Sequence, residues 1–197
     1  MLQLELRPVP SRFWSTASPV LAVLVTAVIG FALFAALGKD PVRGLQVFFW
    51  EPIKSAYAWS EVGVKATPLL LIALGLAMCF RSNVWNIGAE GQYVIGAVAA
   101  TGVALMATAE TGRWIIAPVL AAGLLGGMAW AGIVALLRDR FNANEILVSL
   151  MLVYVAIQVL YYFVFGPWKD PMGYNFPQTK NFEDAVLIPR LVAGSRM

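Results

Sequence analysis

The side chains best placed to do chemistry in this sequence fall in two short stretches. RSNVWNIGAEGQ, residues 81 to 92, holds Asn83, Asn86, Glu90 and Gln92, with Gly88 and Gly91 between them. RFNANEILVSLMLVYVA, residues 140 to 156, holds Asn144, Glu145 and Ser149, and Gln158 follows two residues later. Amides, hydroxyls and carboxylates at this spacing can cap helices and hydrogen-bond a polar ligand. They do not make a covalent catalyst. The 197 residues contain no histidine and one cysteine, Cys79, so no Ser/His/Asp or Cys/His set can be built. A disulfide within the chain and a zinc site of the usual His/Cys type are excluded for the same reason. The carboxylates are too dispersed to suggest a Mg²⁺ or Ca²⁺ site. There is no G-x-x-x-x-G-K-[ST] loop to cradle nucleotide phosphates. No catalytic residue, metal ligand or cofactor site is therefore assigned.

The elements that must position these residues are membrane helices. The chain is 60% hydrophobic and only 13% charged, against about 25% charged in soluble domains, and its mean hydropathy is +0.75. The net charge of +3 comes from scattered Lys and Arg that never form a stripe, which argues against a nucleic-acid partner. Crossing about 30 Å of hydrocarbon takes roughly 20 helical residues. Five runs qualify: 18–38, 62–80, 93–109, 114–137 and 146–168. In the second, Pro68 is expected in the first turns, where its missing N–H matters least. The segment 39–61, with Phe48, Phe49, Trp50, Tyr57 and Trp59, predicts one or two short interfacial helices. The expected fold is all-α: a polytopic transmembrane bundle of about five spans plus a broken or interfacial segment. Its parts are a cytoplasmic N-terminal segment (1–17), a transmembrane domain (18–168) and an extramembrane loop (169–197), whose last residues, LVAGSRM, lack any capping signal and suggest an incomplete chain.

A weak Lys/Arg bias puts the N-terminus inside, and the two arginines of RDRFNANE (138–145), read as a short turn, place that turn and the 81–92 motif on the cytoplasmic side. In the fourth span Gly123, Gly126, Gly127 and Gly132 allow close helix approach, either within the protein or as a dimer face. A buried glutamate costs a few kcal/mol in a membrane, so Glu90 belongs at the interface or beside a partner. Asn83 and Asn86 read as N-caps. The 81–92 motif is then either a capped interfacial elbow or a discontinuous helix lining a translocation path. Asn144 reads as the N-cap of the fifth span, with Glu145 at the positive end of its dipole. Ser149 is expected to bond back to its own helix, whereas the amide of Gln158 needs partners inside the bilayer.

Taken together, FRSNVWNIGAEGQYVIGAVAA (80–100) and FNANEILVSLMLVYVA (141–156) resemble the permease subunits of ABC importers for nucleosides and simple sugars, a branch of the ribose and branched-chain amino acid permease group. The matching residues are Asn86, Gly88, Glu90, Gly91 and Gln92 in the first motif and Asn144, Glu145 and Met151 in the second. The resemblance implies a multi-pass inner-membrane protein that is not itself an enzyme. It implies a separate ATP-binding subunit, a second permease subunit (identical or homologous), an extracytoplasmic substrate-binding protein and a small-molecule substrate. The later half of such permeases, which docks on the ATPase, has no counterpart in these residues, so the resemblance is to an N-terminal portion. The residues alone leave two other readings open: an ion-coupled secondary transporter, which should carry mid-span acidic relays, and a small membrane anchoring or assembly protein.

Overall fold

The computed structural model describes residues 11–190 apart from Asn175; residues 1–10, within the expected N-terminal segment, and the terminal LVAGSRM lie outside the described residues. Among the described residues the secondary structure is helical, with one isolated antiparallel bridge between Lys169 and Thr179. The helices are α1 (Arg12–Ala36), α2 (Pro41–Leu45), α3 (Ala56–Arg81), α4 (Ala89–Ala104), α5 (Ile116–Phe141) and α6 (Glu145–Phe165). A π turn (Gln46–Trp50) and two 3₁₀ turns (Glu51–Ile53 and Arg113–Ile115) complete the set. Two compact units divide the chain at Lys65/Ala66.

In the first unit residues 41–53 form short helical pieces, as expected for 39–61, whereas 56–61 belong to the start of α3. Asp40 caps α2, its carboxylate accepting the backbone N–H groups of Val42 (2.9 Å) and Arg43 (3.2 Å), and Pro41 occupies the first helical position. Among the described residues four helical stretches are long and apolar enough to cross a membrane: Phe13–Ala36, Ala56–Arg81, Arg113–Phe141 and Glu145–Phe165.

The expected third span, 93–109, differs. α4 starts earlier and stops at Ala104, 16 residues or about 24 Å of helix, short of the hydrocarbon thickness. A hydroxyl turn ends it: the Thr108 N–H donates to Thr111 Oγ1 at 2.8 Å, so the backbone finds partners without continuing the helix. Other boundaries move too. α5 runs through Arg138, Asp139 and Arg140, which had been expected in the turn, and the connection to α6 shrinks to Asn142–Asn144. The left-handed Asn142 (φ 51°) ends α5, where the Ala143 N–H reaches the Leu137 carbonyl at 3.2 Å. α3 begins at Ala56, so Pro68 sits mid-helix and removes one donor from the helical ladder, not from the first turns.

In the second unit α4 packs most extensively on α5 and also against α6. Burying apolar surface drives no association in lipid, so close backbone contact must hold these helices. A Cβ added at Gly96 would lie 2.9 Å from the Gly123 carbonyl oxygen, and one at Gly126 2.6 Å from Ala99 Cβ. The glycine-rich face of α5 is therefore spent within the protein, against α4, which resolves the choice between internal packing and a dimer face for Gly123, Gly126 and Gly127. Gly132 meets nothing within 4 Å among the described residues.

Candidate functional site

The two polar motifs meet at one end of the second unit. α3 closes with Asn83 in the left-handed conformation (φ 54°), and the Val84 N–H bonds back to the Cys79 carbonyl at 2.9 Å. Asn83 is thus the C-terminal turn residue of α3, not an N-cap; its short polar side chain tolerates positive φ. Residues 84–88 then form an extended elbow laid on the start of α6. The Ile87 N–H donates to Ser149 Oγ at 3.2 Å, and Ser149 Oγ donates in turn to the Ile146 carbonyl at 3.2 Å. Ser149 is wholly buried. It does bond to its own helix, as expected, and it also fixes the elbow. Gly88 makes the approach possible: a Cβ there would lie 2.9 Å from both Ser149 Cβ and the Ser149 carbonyl oxygen.

Asn86 is not a helix cap in the strict sense. Its Oδ1 accepts the Gly88 N–H at 2.9 Å, closing a side-chain turn, while Nδ2 donates to Gln92 Oε1 at 3.3 Å. α4 then begins on Gly88 without a side-chain cap. The result is a tied pair of amides across the first turn of α4, each with hydrogen-bonding capacity left over. Gly91 is buried on the opposite side, where a Cβ would stand 3.0 Å from Val153 Cα and 3.3 Å from the indole nitrogen of Trp130.

The amide pair faces open space. A cavity of about 540 Å³ is bounded by Asn86, Gln92, Cys79, Arg138, Asp139 and Glu145, among others. A second, of about 380 Å³, continues along α3, α4 and α5 and shares Cys79, Asn86, Gln92 and Ala131 with the first. The polar end of the larger cavity is organised by α5 and α6. Asn144 caps α6, its Oδ1 accepting from Ile146 N at 3.0 Å and Leu147 N at 3.4 Å, as the sequence predicts. Glu145, in the first turn, pairs with Arg138 Nη1 at 3.2 Å; the two side chains are 18% and 41% exposed. The walls thus offer three amides (Asn86, Gln92 and Asn142), one guanidinium and two carboxylates above an apolar remainder. Such a set can exchange hydrogen bonds with a polar solute.

The predicted residues therefore separate. Asn86, Gln92 and Glu145 line the cavity; Gly88, Gly91, Ser149 and Asn144 build the backbone around it. Glu90 is exposed in the first turn of α4, its carboxylate without an ion pair among the described residues, and it lines neither cavity. Gln158 lies on an exposed face midway along α6, also outside both cavities. Sequence reasoning missed Cys79, Arg138 and Asp139 as cavity residues. The signal was available: charges in the last turn of a membrane helix, one short loop before a glutamate, are within reach of it.

Comparison with known proteins agrees with this layout. The family model described as branched-chain amino acid transport system, permease component, matches residues 59–194, which include both motifs. A glucose ABC transporter permease protein of Haloferax volcanii is 38% identical over 190 residues, 96% of this chain and 50% of its own length. A guanosine ABC transporter permease protein of Bacillus subtilis is 26% identical over 152 residues, 77% of this chain and 43% of its own. A nucleoside ABC transporter permease protein of Lactococcus lactis is 26% identical over 140 residues, 71% and 38%. The chain spans about half the length, or less, of these relatives. No solved structure matches it. The matched family, the multi-pass helical fold and the identity to the archaeal permease together place the chain: it belongs to the family of permease components of the branched-chain amino acid transport type.

Proposed function

We propose that this chain forms the N-terminal part of the membrane-spanning permease of an ATP-driven ABC importer for nucleosides or simple sugars. The observation that carries the reading is the cavity of about 540 Å³ at which both family-like motifs converge, with Asn86 and Gln92 in its wall. Amide side chains that donate and accept match hydroxyl-rich or base-bearing solutes, and the relatives' names point to the same two classes, glucose and nucleosides. Asn86, Gln92 and Glu145 line the path in this reading; Asn83, Gly88, Gly91, Asn144 and Ser149 hold its shape. Glu90, exposed and without an ion partner among the described residues, faces a partner subunit, and Gln158 faces a neighbouring helix of the assembly. The elbow 82–88 and the turn 142–144, which share one end of the bundle, lie on the cytoplasmic side, and residues 169–190 lie outside the membrane.

ATP is hydrolysed on a separate ATP-binding subunit. A second permease subunit completes the path, and an extracytoplasmic binding protein delivers the ligand. The test is uptake of labelled glucose and guanosine into vesicles holding the whole assembly. Uptake should require ATP and vanish when the ATPase active site is inactivated. Uptake that persists on an ion gradient without ATP would replace this reading with the ion-coupled one.

A further inference from the structure

The first unit carries a third cavity, lined by none of the residues that bound the other two. α1 ends at Ala36, and the chain reverses through a turn in which the Lys39 N–H donates to the Phe34 carbonyl at 2.9 Å. α2 then folds back across the helix end, with Gly44 set against the Phe34 ring: a Cβ at Gly44 would lie 2.7 Å from ring carbons. Between these elements opens a cavity of about 640 Å³ lined by Phe34, Lys39, Asp40, Arg43, Val47 and Phe48, among others. Its charges are unbalanced in a useful way. Asp40 is occupied as the cap of α2, one oxygen accepting two backbone N–H groups. Lys39 and Arg43 form no ion pair among the described residues. Two cations therefore stand over a floor of aromatic and aliphatic carbon.

The location adds a constraint. α1 is long and apolar enough to cross a membrane, so the turn that ends it falls where hydrocarbon gives way to headgroups. Phe48, Phe49, Trp50 and Ile53 beside the cavity are all exposed, as suits residues in contact with lipid. We infer that this cavity binds the headgroup of an anionic phospholipid. The phosphate sits between the Lys39 ammonium and the Arg43 guanidinium, whose planar fork suits phosphate oxygens, and the first acyl methylenes lie over Phe34, Val47 and Phe48. Free phosphate would leave the apolar floor unused, and a choline headgroup would bring its own cation against the two already there.

Native mass spectrometry of the purified chain, titrated with phosphatidylglycerol or with phosphatidylcholine, tests this. Phosphatidylglycerol should be retained in preference. The K39Q/R43Q variant should bind it roughly 30-fold more weakly, and each single variant roughly 5-fold more weakly, from the usual worth of one basic residue at an anionic headgroup surface. Lys54→Gln, which removes a cation already paired with Glu51 at 3.2 Å and outside the cavity lining, should change nothing. K39R/R43K should retain binding and guards against a folding artefact; the single variants serve if the double variant fails to fold. Equal retention of the two lipids, or unchanged phosphatidylglycerol binding in folded K39Q, R43Q or the double variant, overturns the inference. Displacement of the lipid by millimolar inorganic phosphate as effectively as by phosphatidylglycerol would make the site one for free phosphate and overturn it equally.

Discussion

Gly96→Ala should destabilise the protein where Gly132→Ala does not. Both glycines lie inside helices, so each substitution gains the same intrinsic helix preference, roughly 0.5–1 kcal/mol. Their surroundings differ. At Gly96 a new Cβ would lie 2.9 Å from the Gly123 carbonyl oxygen, about 0.5 Å inside the 3.4 Å at which ordinary contact begins. The obstacle is backbone, which cannot swing aside, and α5 is held on the same face at Gly127, where a Cβ would meet the Gln92 carbonyl oxygen at 3.2 Å. Forcing an extra methyl into such a contact costs roughly 1–3 kcal/mol. At Gly132 nothing lies within 4 Å among the described residues. The propensity gain cancels between the two variants, leaving Gly96→Ala less stable than Gly132→Ala by roughly 1–3 kcal/mol. For a chain of this size that corresponds to several degrees in melting temperature, at roughly 2–4 °C per kcal/mol. A thermal-shift series in one detergent reads it directly. A Gly132→Ala variant that melts as low as Gly96→Ala would refute the close α4–α5 packing.

Three further outcomes follow from the site. Ser149→Ala removes the wholly buried hydroxyl that accepts the Ile87 N–H and should cost about 0.5–1.5 kcal/mol in the same melting assay, with faster hydrogen exchange across residues 84–88. Arg138→Gln breaks an ion pair that is partly exposed, so its stability effect should stay below about 1 kcal/mol, while uptake by the assembly falls because a cavity wall changes; unchanged uptake would separate the ion pair from the path. Glu90→Ala should leave the melting temperature within experimental scatter yet impair uptake or assembly more than Glu110→Ala; equal and negligible effects would reduce Glu90 to a helix-start residue.

Much of the architecture was readable from the residues, and the misses have identifiable causes. α1, α3, α5 and α6 declare themselves by long uncharged runs closed by charges, because lipid leaves no alternative partner for the backbone. Some ends moved because helices run past their uncharged stretches: α3 starts at Ala56 and α5 continues to Phe141, where Asn142 stops it, whereas α3 closes at Arg81, as its charge suggests. α4 was overextended because apolarity alone cannot reveal that Thr108 and Thr111 would satisfy a turn. At the site, Asn144 followed its local signal, since capping is decided within three residues. Asn86 did not: its bond to Gln92 depends on an elbow whose shape is set by Ser149, 62 residues away from Ile87. Arg138 and Glu145 come together only once the loop between them is known to be three residues long.

The native Cys79, the single cysteine of the chain, lines both cavities beside Asn86 and Gln92 and reports on them without engineering. In the reconstituted assembly, the rate of Cys79 modification by a membrane-impermeant thiol reagent is the most direct measure of whether solute passes this point. A translocation path predicts that Cys79 reacts, that transported ligand with ATP slows the reaction severalfold, and that an inactive ATPase abolishes the slowing. A rate indifferent to ligand and ATP, in an assembly that still transports, would contradict the placement of the path along the Asn86–Gln92 wall.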